Sequence, residues 1–84
     1  MYVVMCEIYK LEEGDYTLIS AHPIEAVKNK REVSAWMYRE PEIIVKYIQG
    51  VLETTYSIAE RDEKHAVIVN TDGTEKRIYI PRKV

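Results

Sequence analysis

The pattern of apolar and polar positions predicts a β-hairpin at the start of the chain. An apolar run that begins at Tyr2 and another that ends at Ala21 flank a polar turn containing Gly14. A turn centred on Glu13-Gly14 pairs Cys6 with Ala21. Because side chains alternate across a strand, this register presents apolar residues on both faces of the hairpin. The predicted hairpin therefore needs cover on both sides.

A second copy of the chain is the expected cover for one of these faces. A domain this small has about one helical layer to offer, and small domains often gain stability by oligomerising. An apolar sheet face without cover would be larger than the patches that monomers usually expose, so the sequence predicts a homodimer. The face predicted to meet the second copy carries Met5, Tyr9, Leu11, Tyr16 and Leu18.

The middle of the chain predicts two helical segments. His22-Pro23 is expected to end the second strand, and a short helix or turn follows over residues 24–30. A further helical segment is predicted over residues 32–39, and Pro41 is expected to break it, because the residue before a proline avoids helical geometry. The strongest helical periodicity then starts at this proline, which suits a first turn. Its apolar positions are Ile43, Ile44, Tyr47, Ile48, Val51 and Leu52.

The last third of the chain predicts a second hairpin. Asp72-Gly73 lies between two alternating runs, which is a strong signal for a two-residue turn. That turn pairs Val67 with Ile78 and Val69 with Lys76. As in the first hairpin, neither face is purely polar.

Together these elements predict one α+β domain over residues 1–84. The expected order is β-β-α-α-β-β, a two-layer sandwich in which a four-stranded antiparallel sheet, made of two β-hairpins, packs against a central helical segment. The acidic stretch at Glu60, Asp62 and Glu63 is interpreted as a solvated loop outside the sheet.

Composition narrows the classes of protein and site. The 84 residues carry a net charge of −2, with 31% of them charged, which gives no global attraction to nucleic acid. No apolar run approaches the ~20 residues of a membrane span, and the start of the chain lacks the features of a signal peptide, so a cytoplasmic protein is expected. One cysteine permits no internal disulfide. Abundant Ile, Val, Glu and Lys would suit a thermophilic source, or a chance bias in a short chain.

Residues suited to catalysis are few. Cys6, His22 and His65 are the only candidates for a nucleophile and a base. In the predicted register Cys6 and His22 point to opposite faces, whereas a Cys–His pair needs both on one side. The sequence has no glycine-rich phosphate loop and no metal-ligand spacing. We therefore predict no catalytic residue, metal or cofactor, and a small enzyme with its site at the dimer interface is the second alternative.

Two basic clusters make nucleic-acid binding the first alternative. They lie at residues 28–31 and 76–83, and the second has an aromatic residue among its cations. Such patterns can follow a phosphate backbone and stack on a base. Strand alternation, however, sends Lys76 and Arg77 to opposite faces. The residues of this alternative are Lys28, Lys30, Arg31, Lys76, Arg77, Tyr79, Arg82 and Lys83.

Trp36, Tyr38 and Arg39 are the predicted partner contacts. They combine the residue types that dominate the energetics of protein interfaces, although Trp36 would equally suit the core. The sequence thus favours a small non-enzymatic binding or regulatory protein that acts as a homodimer and docks an unidentified protein. Small proteins of viruses and mobile elements often work in this way.

Overall fold

The computed structural model describes all 84 residues and places one helix on one face of a five-stranded antiparallel sheet. The predicted α+β class and both hairpins are confirmed. The predicted four strands and two helical segments are wrong, since the observed order is β-β-α-β-β-β. The strands are β1 (Tyr2–Glu12), β2 (Asp15–Val27), β3 (Tyr56–Arg61), β4 (Ala66–Asn70) and β5 (Glu75–Lys83), and helix α1 spans Lys30–Leu52. The strand order across the sheet is β2-β1-β5-β4-β3.

Helix α1 runs without a break through Pro41, contrary to the prediction. An internal proline removes one backbone hydrogen bond and costs about 3 kcal/mol. Pro41 and Met37, one turn earlier, are among the most deeply buried side chains of the protein. The burial of Pro41 itself and of Met37 holds the chain in helical geometry and offsets this cost.

Strand β2 also continues past its own proline, so the predicted strand end at His22-Pro23 and the helix or turn over residues 24–30 are wrong. β2 is an edge strand that pairs only with β1. Proline is tolerated on an edge because its missing N–H can face solvent instead of a neighbouring strand.

Two bulges in β2 shift the register of the first hairpin. Between the pairs Tyr9–Leu18 and Ile8–Ser20 the strand holds an extra residue, Ile19. Each bulge moves the following side chains by one position and therefore to the other face. The second bulge, at Ile24, lies nearer the end of the strand.

The register of the second hairpin is confirmed, and an additional strand flanks it. Val67 pairs with Ile78 and Val69 with Lys76, as predicted. The predicted two-residue turn is wrong, however, since β4 ends at Asn70 and β5 begins at Glu75, which leaves four residues in the connection. β3, which begins at Tyr56, was not predicted and forms the other edge of the sheet beside β4. Its polar residues sit on a mostly exposed edge, so its pattern resembles that of a loop.

The core lies between α1 and one face of the sheet. The helix contributes Val33, Trp36, Met37 and Ile48, and the strands contribute Val4, Cys6, Val27, Tyr56, Ala66, Ile68 and Tyr79. We call the sheet face away from the helix the open face. α1 is not long and apolar enough to cross a membrane.

The N-terminus of α1 is capped by a side chain, which gives a first prediction. Asn29 Oδ1 accepts a hydrogen bond from the backbone N–H of Glu32 at 3.0 Å. Asn29→Ala is expected to lower the free energy of unfolding by about 1 kcal/mol, as measured by urea titration, because one helical N–H loses its partner. Asn29→Ser should retain most of the stability, and equal losses in both variants would contradict the capping role.

Candidate functional site

Helix α1 runs from one edge strand of the sheet to the other and leaves a corner of the sheet bare beside its C-terminal half. The helix begins just after β2 and ends just before β3, which are the two edge strands of the sheet. β2 ends beside Tyr2, near the start of β1, whereas β3 starts beside Asn70, next to the turn of the second hairpin. The uncovered corner therefore lies beside the C-terminal half of α1, over β1 and β2.

An apolar groove, which we call the corner groove, occupies this position. Its volume is about 400 Å³, and eight of its ten lining residues are hydrophobic. Its rim is unusually exposed for apolar residues: Ile24 on β2 is 40% exposed, and Tyr47 and Val51 on α1 are 68% and 57% exposed. The lining residues are Cys6, His22, Ile24, Ile44, Tyr47, Ile48, Val51, Leu52, Arg77 and Tyr79.

The deep part of the groove carries one charge. Cys6 and Tyr79 are each only 2% exposed. Nε of Arg77 is buried without a hydrogen-bond partner. The only carboxylate near the guanidinium is that of Glu75, whose Oε1 lies 3.5 Å from Arg77 Nη2. The guanidinium carbon also lies 5.6 Å from the centroid of the Tyr56 ring, so the cation has neighbours on that side and Nε is the atom left without a partner.

Cys6 and Tyr79 are neutral neighbours of this cation. Burial raises the pKa of the Cys6 thiol, and hydrogen bonding to Tyr79 and the charge of Arg77 offset this only in part. Burial also raises the pKa of the Tyr79 hydroxyl well above its ordinary value, with the neighbouring Cys6 adding to the shift. At neutral pH both groups keep their protons.

The predicted separation of Cys6 and His22 is wrong. The bulge at Ile19 makes them direct cross-strand partners, so they share the helix face and both line the corner groove. The thiolate is the nucleophilic form of cysteine, and the raised pKa of Cys6 disfavours it. The hydrogen bond to Tyr79 and the charge of Arg77 favour the thiolate less than burial disfavours it. His65 lies elsewhere, between the carboxylates of Glu60 and Asp62.

The state of Cys6 gives a second prediction. In the folded protein iodoacetamide should alkylate Cys6 at least about 100-fold more slowly than in urea, because the thiol is buried and protonated. Mass spectrometry of timed samples measures both rates. Rapid alkylation of the folded protein at neutral pH would show an activated thiol and would support the alternative that the protein is a small enzyme.

The five residues predicted for the dimer contact share the open face. Tyr9 pairs with Leu18 and Leu11 with Tyr16, and Met5 lies on the same side of β1. Ile78, Ile80 and Val69 extend this face across β5 and β4, and Val67 lies on the same face but is only 8% exposed. The sequence predicts these residues on the second hairpin but does not predict that the two hairpins form one sheet, because the β1–β5 pairing joins distant parts of the chain.

The open face also carries charges near its centre and rim. Lys76 Nζ lies 4.1 Å from the centroid of the Tyr16 ring and 5.5 Å from that of Tyr9. The Glu7 carboxylate accepts a hydrogen bond from the Tyr9 hydroxyl at 3.1 Å. The face thus combines an apolar surface with charged residues, among them an acid on β1 and a base on the adjacent strand β5.

The structure divides the predicted nucleic-acid residues among three places. Lys76 lies on the open face, whereas Arg77 and Tyr79 lie on the helix face, where Tyr79 is too buried to stack on a base. The others gather at one end of the sheet, which we call the basic end, because Tyr2 pairs with both Val27 and Lys83. The basic end comprises Lys28, Lys30, Arg31, Arg82 and Lys83.

The predicted partner contacts are also separated. Trp36 is buried, at 4% exposed, and its Nε1 donates a hydrogen bond to Glu25 Oε2 at 2.6 Å. Tyr38 and Arg39 are exposed, but Tyr38 lies beside Arg61 of β3, whereas Arg39 lines a shallow pocket next to Glu25 of β2. Trp36 belongs to the core, so only Tyr38 and Arg39 are available at the surface.

Comparison with known proteins does not extend these observations. The chain matches no protein-family model, no curated protein and no solved structure.

Proposed function

We propose that the protein is a non-enzymatic binding protein that acts as a homodimer, joined through the open face, and docks a partner protein. The observation that carries the proposal is the apolar surface of the open face, which continues over β2, β1, β5 and β4. A helix covers the other side of the sheet, and no element of the chain covers this one. Pairing two open faces would bury this apolar area, which is the main driving force of association.

The charges on the open face suit a two-fold contact. In an isologous interface the same patch meets itself, so Glu7 of one copy can approach Lys76 of the other. The two residues lie on adjacent strands two pairs apart, since Glu7 pairs with Ile78 and Lys76 pairs with Tyr9. Opposite charges matched across the contact offset the cost of removing each from water and fix the register of the two copies.

Partner docking would use the surface that the dimer leaves free. Tyr38, at 53% exposed, and Arg39 both lie on the helix, on the opposite side of the sheet from the open face. Tyr and Arg are the residue types most often found at the centres of protein interfaces. A dimer would present two such helices to a partner.

Light scattering coupled to gel filtration tests the homodimer. We expect the wild-type protein to elute with twice the mass of one chain at low micromolar concentration. Met5→Lys should convert it to a folded monomer, because a charge would then be buried in the apolar contact.

Ile43→Lys is the matched control for Met5→Lys. Ile43 is 52% exposed on the helix, so the same kind of change there should leave the dimer intact. A wild-type monomer, or a dimer that Met5→Lys leaves unchanged, would contradict dimerisation through the open face.

The basic end favours nucleic-acid binding as a second candidate function. None of its five cations forms an ion pair within the protein. Lys30 and Arg31 occupy the first turn of α1, where positive charge opposes the helix dipole. Lys30 and Arg31 are thus held at an unfavourable position near Arg82 and Lys83. An anionic ligand such as a phosphate backbone would relieve the repulsion among these cations.

Fluorescence anisotropy with single- and double-stranded DNA tests this second function. With five phosphate contacts, affinity should fall by a few hundredfold between about 50 and 200 mM salt, since each contact releases a counterion. Lys28→Gln combined with Arg82→Gln should weaken binding and reduce the salt dependence. Absence of binding at the lower salt concentration would exclude this function.

A further inference from the structure

We infer that the corner groove binds an aliphatic carboxylate, with the acyl chain along the apolar rim and the carboxylate at Arg77. The groove lies on the helix face and is open whether or not two copies join through the open face. The inference therefore goes beyond the proposed function and does not depend on it.

The distribution of charge in the groove favours a small ligand over a protein. Protein interfaces have an apolar, charge-depleted centre and a polar rim. The corner groove has the reverse arrangement, because its charge lies deep, beside Cys6 and Tyr79, and its rim is apolar. An apolar lining with one well-placed polar group is the pattern of small-molecule sites, and about 400 Å³ lies within their usual size range.

The sign of the charge specifies the head group. Arg77 is the only Lys, Arg, Asp or Glu among the lining residues. Its Nε has no partner, and its single ion-pair distance, to Glu75, is 3.5 Å, which is long for a charge-assisted hydrogen bond. A guanidinium presents paired N–H donors that match the two oxygens of a carboxylate, so a ligand carboxylate would complete the bonding of this group.

The rim specifies the rest of the ligand. Ile44 and Leu52 lie at the two ends of the helical wall, and eight residues of α-helix span about 12 Å. Tyr47 and Val51, between them, are more than half exposed and would be shielded by an alkyl chain laid along the helix. A medium-length acyl chain fits this strip, and a short acid such as butyrate would leave most of it uncovered.

Titration calorimetry with decanoate, decanol and butyrate tests the inference on the wild-type protein. We expect saturable binding of decanoate with a Kd on the order of 0.1 mM, and weaker binding of the other two. Decanol tests the contribution of the carboxylate, and butyrate tests that of the chain. No saturation by decanoate below about 1 mM, or equal affinities for decanoate and decanol, would overturn the inference.

Two pairs of variants locate the bound decanoate. Arg77→Gln should weaken decanoate binding about tenfold or more and leave decanol unchanged, whereas Arg82→Gln, on the same strand but outside the groove, should have no effect. If Arg77→Gln fails to fold, Val51→Glu provides the test. Val51 is an exposed rim residue, and a carboxylate there should weaken decanoate binding because it would repel the ligand. Ile43→Glu, on the same helix outside the groove, is its control. Equal affinities in the variants of either pair would place decanoate elsewhere and overturn the inference.

Discussion

Trp36→Ala is expected to lower the free energy of unfolding by about 3–5 kcal/mol, a large part of the total stability of a small domain. Trp36 lies where α1 meets both hairpins. Its indole N–H donates to Glu25 on β2, and its ring packs against that of Tyr79 on β5, with 6.1 Å between the ring centroids. Truncation would remove both contacts and leave a cavity that this thin core cannot fill.

Urea titration followed by circular dichroism measures the effect, and two further variants interpret it. Tyr38→Ala, an equally drastic change at an exposed site on the same helix, should cost less than about 1 kcal/mol. Trp36→Phe keeps an aromatic ring but loses part of the ring volume and the bond to Glu25, so its stability should lie between those of the other two variants. If Trp36→Ala and Tyr38→Ala were equally stable, Trp36 would not be a core residue.

Ile68→Ala is the second substitution with a large expected effect, at about 2–5 kcal/mol. Ile68 is fully buried on β4, where it pairs with Ile58 of β3 on one side and with Arg77 of β5 on the other. It therefore joins the edge strand β3 to the rest of the sheet beneath the helix. Loss of its side chain would weaken the packing of three strands at once.

The same urea titration tests this substitution. Ile43→Ala, which removes the same atoms from an exposed helical position, should change stability by less than about 0.5 kcal/mol. If Ile68→Ala is too unstable to purify, Ile68→Val should still cost about 0.5–1.5 kcal/mol. A neutral Ile68→Val would contradict the packing described for β4.

Local signals in the sequence are sufficient to predict part of the fold. The Asp72-Gly73 turn determines its hairpin register, because a short turn with positive φ at Gly73 leaves the flanking strands little freedom. Two errors arose where tertiary packing overrides a local preference. Pro41 should end a helix, but its burial keeps the helix intact, and Pro23 should end a strand, but an edge position tolerates it.

The candidate site was less predictable than the fold. One extra residue at Ile19 reverses the faces of Cys6 and His22, and no sequence pattern distinguishes a bulged strand from a regular one here. The corner groove also depends on Arg77, which the sequence grouped with other basic residues by proximity along the chain. Its position in the groove follows from the long-range pairing of β1 with β5, which the two separate hairpins do not reveal.

The irregular pairings of the sheet are confined to its two outer strand pairs. β2 bulges at Ile19 and Ile24 and β3 at Ala59, whereas the inner pairings of β5 are regular. A straight, unbroken edge would offer a template on which further molecules could add strand by strand and polymerise into fibrils. The bulges and Pro23 interrupt both templates. The bulges that make the predicted register of the first hairpin wrong therefore also protect concentrated protein against open-ended aggregation.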